Sequence, residues 1–376
     1  MPALSPFLED RHVRVRAALG EPRLDALVVT HAPNVRYLSN HAGSAGLLVL
    51  TREAVDLVID FRYTEAAGRL QASPHACPGL RLREVPDSYD EALVDLLAEL
   101  DVVRVGIEAV HLPVARFEWL RRAFEKRTLP IVLVQTERIV ERARLVKDAW
   151  ELHALREAAS RLGAVAEAGF RAVRVGAAER QVADTIEQSL REAGFDRIAF
   201  DTIVASGPHA ARPHHRAGDR RLQAGDLVVL DFGGVLDGYC CDLTRTVVVG
   251  APGPDVSRVY EAVRDAQAAA IAAARPGIPA SEVDGAARAV LEARGLGQAF
   301  GHGTGHGLGL EVHEEPRVGK PRPDVPAVVL ERGMVFTIEP GAYLPGWGGV
   351  RIEDDVVITT DGCEVLTSVP RDLLIR

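Results

Sequence analysis

The chain has 376 residues, 47% of them apolar and 26% charged, with a formal charge of −9. That length suggests two domains, each able to bury its own core. No stretch approaches the ~18 uncharged apolar residues of a membrane helix, and the arginines are dispersed instead of forming a basic block, so neither a membrane nor nucleic acid is expected as a partner. The opening MPALSPFLEDRHVRVR breaks up its apolar residues with acids and arginines, unlike an export signal. Cys77, Cys240, Cys241 and Cys363 lack zinc-site spacing, and adjacent cysteines rarely bridge each other, which points to a cytoplasmic, reducing location.

Over roughly the first 140 residues, short apolar runs alternate with helical stretches: DALVVT from 25, AGLLVLT from 45, AVDLVID from 54, RVGIE from 104 and PIVLVQ from 130. This pattern predicts an α/β domain spanning 1–140. SYDEALVDLLAEL, from Ser88, puts Leu93, Leu96, Leu97 and Leu100 on one helical face, and 113–124 supplies another helix.

From Lys147 the texture changes to long helices, and a second, α+β domain is expected over 147–376. Four helices are predicted, at about 147–174, 177–193, 255–274 and 281–294, with Ser281 and Asp284 resembling a capping box. Gly194 and Gly295 sit where left-handed helix caps belong. The helices form two pairs. Arg174, Gly176, Val182, Leu190 and Gly194 recur at Arg275, Gly277, Val283, Leu291 and Gly295, each 101 residues on. Further along, GDLVVLDFG (225–233) and GMVFTIEPG (333–341) share their glycines and an acid six residues after the first. An internal pseudo-twofold duplication follows, in which Asp231 and Glu339 are counterparts.

An acid inside an apolar strand needs a counter-charge, hydrogen bonds or a metal. Asp231 and Glu339 both face this problem, and each is followed by another acid-bearing strand, with Asp242 in CCDLTRTVVV and Glu353 in VRIEDDVVIT. Four carboxylates directed at one axis would raise one another's pKa unless cations intervened. His306, in GHGTGHGLGL, adds an imidazole between glycines that permit close backbone approach. Four acids and a histidine suit two divalent ions, which can share and activate a water, so hydrolysis is the expected chemistry. HEEPR at 313–317 is not a zincin motif, no G-x-S-x-G is present, and the DFG at 231–233 lacks every other kinase element.

The strings IVASGPHAARPHH, VVLDFGGVLDGYCCDLTRT, GHGTGHGLGLEVHE, FTIEPGAY and GVRIEDDVVIT resemble those of the pita-bread metallopeptidases, specifically the Xaa-Pro peptidases, prolidase and aminopeptidase P. NVRYLSN, GSAGLLVLT and DFRYTEAA resemble the creatinase-like amino-terminal domain of that family. The resemblance implies Asp231, Asp242, His306, Glu339 and Glu353 as metal ligands, with Asp242 and Glu353 bridging. It selects Glu353 over the adjoining Asp354 and Asp355. It also implies Glu339 as the base, His313 as a stabiliser of the tetrahedral intermediate or a proton shuttle, and His214, His302, Tyr343 and Arg351 as residues lining the substrate cleft. For His214 its neighbour His215 is an alternative, and Arg351 could instead pair with Asp354 or Asp355. The cofactor would be two ions of Mn, Co, Zn or Fe, with Mn favoured, the substrates short proline-containing peptides, and the assembly a homodimer. His41, Arg36 and Arg62 are candidates for recognising a product-side carboxylate. A methionine aminopeptidase-like enzyme and a metal-free pita-bread binding module are the alternatives; the separate amino-terminal domain speaks against the first and the complete ligand set against the second.

Overall fold

The computed structural model describes residues 3–20, 22–323 and 325–376, and the chain divides into two compact units, Met1–Arg144 and Leu145–Arg376. The first unit is built on a six-stranded sheet of β1 (Ala26–Val29), β2 (Leu47–Thr51), β3 (Val55–Ile59), β4 (Leu80–Glu84), β5 (Arg104–Glu108) and β6 (Val132–Thr136), in the order β4-β3-β2-β1-β5-β6. Pairing is antiparallel through β1-β2-β3 and parallel elsewhere. The helices are α1 (Ser5–Ala18), α2 (Ala32–Ser39), α3 (Phe61–Gln71), α4 (Tyr89–Glu99), α5 (Val114–Lys126) and α6 (Ile139–Leu145). The apolar runs read from the sequence supply five of the strands. The edge strand β4 escapes that reading because it is LRLRE, in which arginines take the alternate positions 81 and 83. Arg81 and Arg83 both donate through Nε to Asp56 Oδ1 at 2.9 Å, so the register of β3 and β4 is held by a buried carboxylate between two guanidiniums.

The second unit opens with α7 (Ala149–Ala172), whose first turn is closed by a capping box between Asp148 and Glu151. It continues through α8 (Glu179–Glu192), β7 (Arg197–Ile198), β8 (Ile203–Ser206), β9 (Leu227–Leu236), β10 (Tyr239–Val248), α9 (Pro254–Ala273) and α10 (Ala280–Ala293). The remaining strands are β11 (Gly305–Gly307), β12 (Glu314–Val318), β13 (Val335–Ile338), β14 (Gly341–Leu344), β15 (Gly348–Arg351), β16 (Asp354–Ile358), β17 (Cys363–Val365) and β18 (Leu374–Ile375). One sheet runs β18-β10-β9-β7 with β8 also on β9, another runs β12-β11-β13-β16-β17, and β14-β15 form a hairpin.

The duplication is visible element by element. Helices α8 and α10 have the same length, 14 residues. Their approaches turn at Gly176 (φ +83°) and Gly277 (φ +85°), and they end before Gly194 (φ +82°) and Gly295 (φ +72°). Gly176 N–H donates to Leu222 O, and Gly277 N–H to Leu330 O, both at 2.8 Å. Each half has its own core: α7 and α8 cover β9 and β10, while α9 and α10 cover β13, β15 and β16. The expected capping box at Ser281 does not form. The helix begins at Ala280, which leaves Ser281 inside the first turn, and Asp284 turns to the backbone N–H of Thr304 at 3.0 Å and to Arg288.

Strand alternation then sets the site. On β9, Val228, Leu230 and Phe232 enter the core, so Asp231 points to the other face; on β10, Cys241, Leu243 and Val247 enter the core, so Asp242 and Thr244 do likewise. Around His306 the backbones come so close that a Cβ on Gly305 would lie 1.8 Å from Thr337 O, and one on Gly307 2.1 Å from Glu315 O. Gly305→Ala is therefore expected to destabilise the second unit by about 1–3 kcal/mol, as forced overpacking does. Gly163→Ala, within α7 with nothing inside 4 Å of the new methyl, is expected to stabilise by about 0.5–1 kcal/mol. Urea unfolding of both variants checks the pair; equal effects would refute the close-approach argument.

Candidate metal and substrate site

The two halves converge on a cavity of about 720 Å³ whose lining includes Asp231, Asp242, His306, Glu339 and Glu353, together with His214, His302, His313 and Arg351. Asp242, His306 and Glu353 each offer a ligand atom within 4.8 Å of the others. Glu339 joins them through His306, whose Nε2 is 3.6 Å from Glu339 Oε1 and 3.9 Å from Asp242 Oδ2. Asp231 stands opposite Thr244 in the β9-β10 register, and its Oδ2 is taken by Arg351 Nη2.

The donors are held from behind. Thr244, two residues along β10 from Asp242, donates to Glu353 Oε2 at 2.6 Å, and its carbonyl accepts the Glu353 N–H at 3.1 Å. Glu339 N–H donates to Thr304 O at 2.7 Å, and Thr304 in turn is fixed by Asp284. The three successive acids 353–355 separate cleanly. Asp354 faces the buried Arg245 (2.8 Å), with Gln267, Thr367 and Arg371 each donating to it at 2.6 Å. Asp355 accepts the Asp242 N–H at 2.9 Å. Only Glu353 of the three lines the cavity. Arg351 pairs with Asp231 and with neither Asp354 nor Asp355, because β15 ends at Arg351 with its side chain towards β9 and β10, where Thr244 accepts from Nε at 3.2 Å.

This donor set fits divalent cations. Gly307 O can only accept a hydrogen bond, so the proton sits on His306 Nδ1 (3.1 Å) and the Nε2 lone pair faces the carboxylates. Burial pushes the His306 pKa down to about 4, keeping the ring neutral. Asp242 Oδ1 is buried with no hydrogen-bond partner among the described residues, an unsatisfied acceptor that a cation would engage. Lone pairs and anions facing one another at these distances call either for a cation between them or for protons on the acids.

Of the cleft residues, Tyr343 does not line the cavity but stands behind two that do. Arg351 Nη1 donates to its hydroxyl at 2.9 Å, and the hydroxyl donates to His302 Nε2 at 2.8 Å, while His302 Nδ1 donates to Gly303 O at 2.7 Å. Both His302 nitrogens are thereby occupied, and burial lowers its pKa to about 4, so it presents a neutral ring edge to the cavity. His214 and His215 both line the cavity, but His215 Nε2 is bound to Glu179 at 2.9 Å, which leaves His214 as the imidazole available to a ligand. Thr244, Thr304, Asp284 and Glu179 are contributors that the sequence reading missed. The one available signal was the i, i+2 spacing of Asp242 and Thr244 on one strand face.

Without cations the acids cannot all be ionised. Burial, and then Glu353, push Asp242 and Glu339 well above the usual carboxylate range, while burial and Asp231 push Glu353 to about 8. A carboxyl whose folded pKa exceeds its unfolded value stabilises the fold below the unfolded pKa, and that contribution is lost as pH rises through the folded one. Metal-stripped protein is expected to melt progressively lower from about pH 5 to about pH 8, and protein saturated with Mn²⁺ to show no such decline. A stripped protein with a flat melting profile across that window would contradict the mutual repulsion.

Comparison with known proteins identifies relatives of both parts of the chain. Residues 153–360 match Metallopeptidase family M24, and residues 11–146 match the Creatinase/Prolidase N-terminal domain. The chain is 35% identical to the Xaa-Pro dipeptidase of Pyrococcus horikoshii, over 93% of this chain and 95% of that one. An Xaa-Pro dipeptidase structure from Bacillus anthracis superposes with a TM-score of 0.91 at 34% identity, covering 98% of this chain and 100% of that chain. The X-Pro aminopeptidase structure from Thermotoga maritima gives 0.87 at 31% identity, covering 96% and 100%. The chain belongs to Metallopeptidase family M24, an enzyme family that works with divalent metal, and carries a creatinase/prolidase domain ahead of its catalytic one.

Proposed function

We propose that the protein is an Xaa-Pro peptidase that hydrolyses the bond between an N-terminal residue and a following proline. The observation that carries the reading is the convergence of Asp242, His306 and Glu353 with Glu339 and Asp231 in one cavity, in a chain similar along nearly its whole length to Xaa-Pro dipeptidases. Asp231, Asp242, His306, Glu339 and Glu353 would hold two divalent ions, with Mn²⁺ favoured among Mn, Co, Zn and Fe because a mostly carboxylate ligand set suits a hard cation. When bound, such ions supply an activated water and polarise the scissile carbonyl.

The chain's own groups do the rest. Glu339, on the cavity wall, accepts the proton of the attacking water and holds it for the leaving proline nitrogen. His313, exposed on the cavity wall, stabilises the developing oxyanion. The His302 edge, oriented by Tyr343, forms a flat wall for a proline ring, with His214 at its side. An Xaa-Pro bond has no N–H, so a site that recognises the carbonyl and the ring, and not that donor, suits it.

The length of the peptide is set at the cavity wall. Arg180 is engaged by Asp219, whereas Arg216 and Arg317 have no carboxylate partner among the described residues, so a proline carboxylate has guanidiniums to meet. We infer that dipeptides are preferred. A homodimer is the assembly we expect from the resemblance, and the four unbridged cysteines support a reducing, cytoplasmic compartment.

With Mn²⁺-loaded protein, Ala-Pro is expected to turn over rapidly, Ala-Pro-Ala more slowly and Ala-Ala hardly at all. Equal rates on Ala-Pro and Ala-Ala would sink the proline reading, and faster cleavage of the tripeptide would overturn the dipeptide preference. Asp231→Asn is expected to lose activity together with at least part of the bound metal, as counted by elemental analysis. Retention of both would show that Asp231 is not a ligand.

A further inference from the structure

Two histidines in the segment after β8, His209 and His215, have no part in the chemistry above, yet both are bound to one buried carboxylate. Glu179, the first residue of α8, is completely buried. Its Oε1 accepts from Ser206 N–H at 2.9 Å, from Ser206 Oγ at 2.6 Å and from His209 Nδ1 at 3.0 Å. Its Oε2 accepts from His215 Nε2 at 2.9 Å and from Gly218 N–H at 3.3 Å. Ser206 and Gly218 are the two ends of the excursion that carries Pro213, His214, His215, Arg216 and Ala217 along the cavity wall. One carboxylate therefore closes the base of the excursion and braces it twice inside. Midway along, Pro213 O accepts from Arg351 Nη2 at 3.4 Å, the same nitrogen that meets Asp231.

A buried carboxylate is costly to install, and the duplication shows that the fold does not require it. The position matching Glu179 in the second half is Ala280, at the same place at the start of α10. Burial would push the Glu179 pKa up, but the hydrogen bonds from Ser206, His215 and His209 outweigh it and hold the group below the usual carboxylate range, so it stands as an anion. His214, flanked by these braces, has no hydrogen-bond partner of its own among the described residues and is exposed in the cavity. Its placement depends on the backbone that the braces fix.

We propose that Glu179 is a positioning residue of the peptidase site: by pinning both ends of the Ser206–Gly218 segment and its two inner histidines, it fixes His214 at the substrate. As a statement about catalysis this rests on the Xaa-Pro reading; as a statement about the tether it does not. Glu179→Gln replaces one acceptor with a donor facing the Gly218 N–H or the Ser206 N–H. In Mn²⁺-loaded protein this variant is expected to raise deuterium uptake of the 207–218 segment while leaving uptake in β9 and β10 unchanged. Its kcat/KM on Ala-Pro is expected to fall about 10-fold to 100-fold, the scale of a misplacement near 1 Å, with metal content unchanged. Because the effect runs through His214, the double variant Glu179→Gln/His214→Ala is expected to be no slower than His214→Ala alone. Unchanged deuterium uptake in 207–218 overturns the tether, and rate losses that multiply in the double variant overturn the positioning role in favour of a general structural one. A wild type inactive on Ala-Pro would refute the Xaa-Pro reading while the exchange measurement still decides the tether. Should Glu179→Gln fail to fold, His215→Ala, which removes a single brace, carries the same two readouts.

Discussion

Four carboxylates held close together in a buried place are the constraint on which the catalytic unit turns. Each alone would be expensive to bury, and together they repel. The structure meets this with groups that fix each acid's direction: Thr244 on Glu353, Arg351 on Asp231, and the Asp355 carboxylate on the Asp242 backbone. Those contacts do not neutralise the cluster. They aim it, and the remaining imbalance of charge is one that divalent cations would offset.

A second layer of buried polar groups surrounds the first. Arg245 is almost completely buried and binds the carbonyls of Thr244, Glu353, Val369 and Pro370 as well as Asp354. Asp354 is thus occupied by structural work within a residue of Glu353, which faces the cavity. The same division separates His215, bound by Glu179, from His214, which is open to the cavity. For the acids the parting is one of alternation, because successive side chains leading into β16 point opposite ways, whereas the two histidines, both on the cavity wall, differ in that Glu179 binds one of them.

Most of the architecture was legible because its physical causes are periodic. Apolar runs marked five of the six strands in the first unit, helical spacing marked the four long helices, and a constant offset exposed the duplication. Strand β4 was not legible, since its alternate residues are arginines whose partner, Asp56, lies on another strand. The supposed cap at Ser281 looked sound locally, but Asp284 had a stronger claim on it from Thr304, 20 residues away. In the site, the acids and the histidine that the structure brings together could be read directly. Their supports could not, because a threonine two residues from an aspartate, or a glutamate opening a helix, gains meaning only when a distant strand or loop delivers its partner.

The duplication has a consequence for how such a site can arise. The first half contributes Asp231 and Asp242, and the second contributes Glu339 and Glu353 with His306. Each half supplies only two of the four acids, so a single-copy ancestor could have gathered four only by associating with a second copy of itself. Fusion of the copies would then have released each half from having to match the other, and the present differences record that freedom: longer acids and an imidazole on one side, and Glu179 where the other side keeps Ala280.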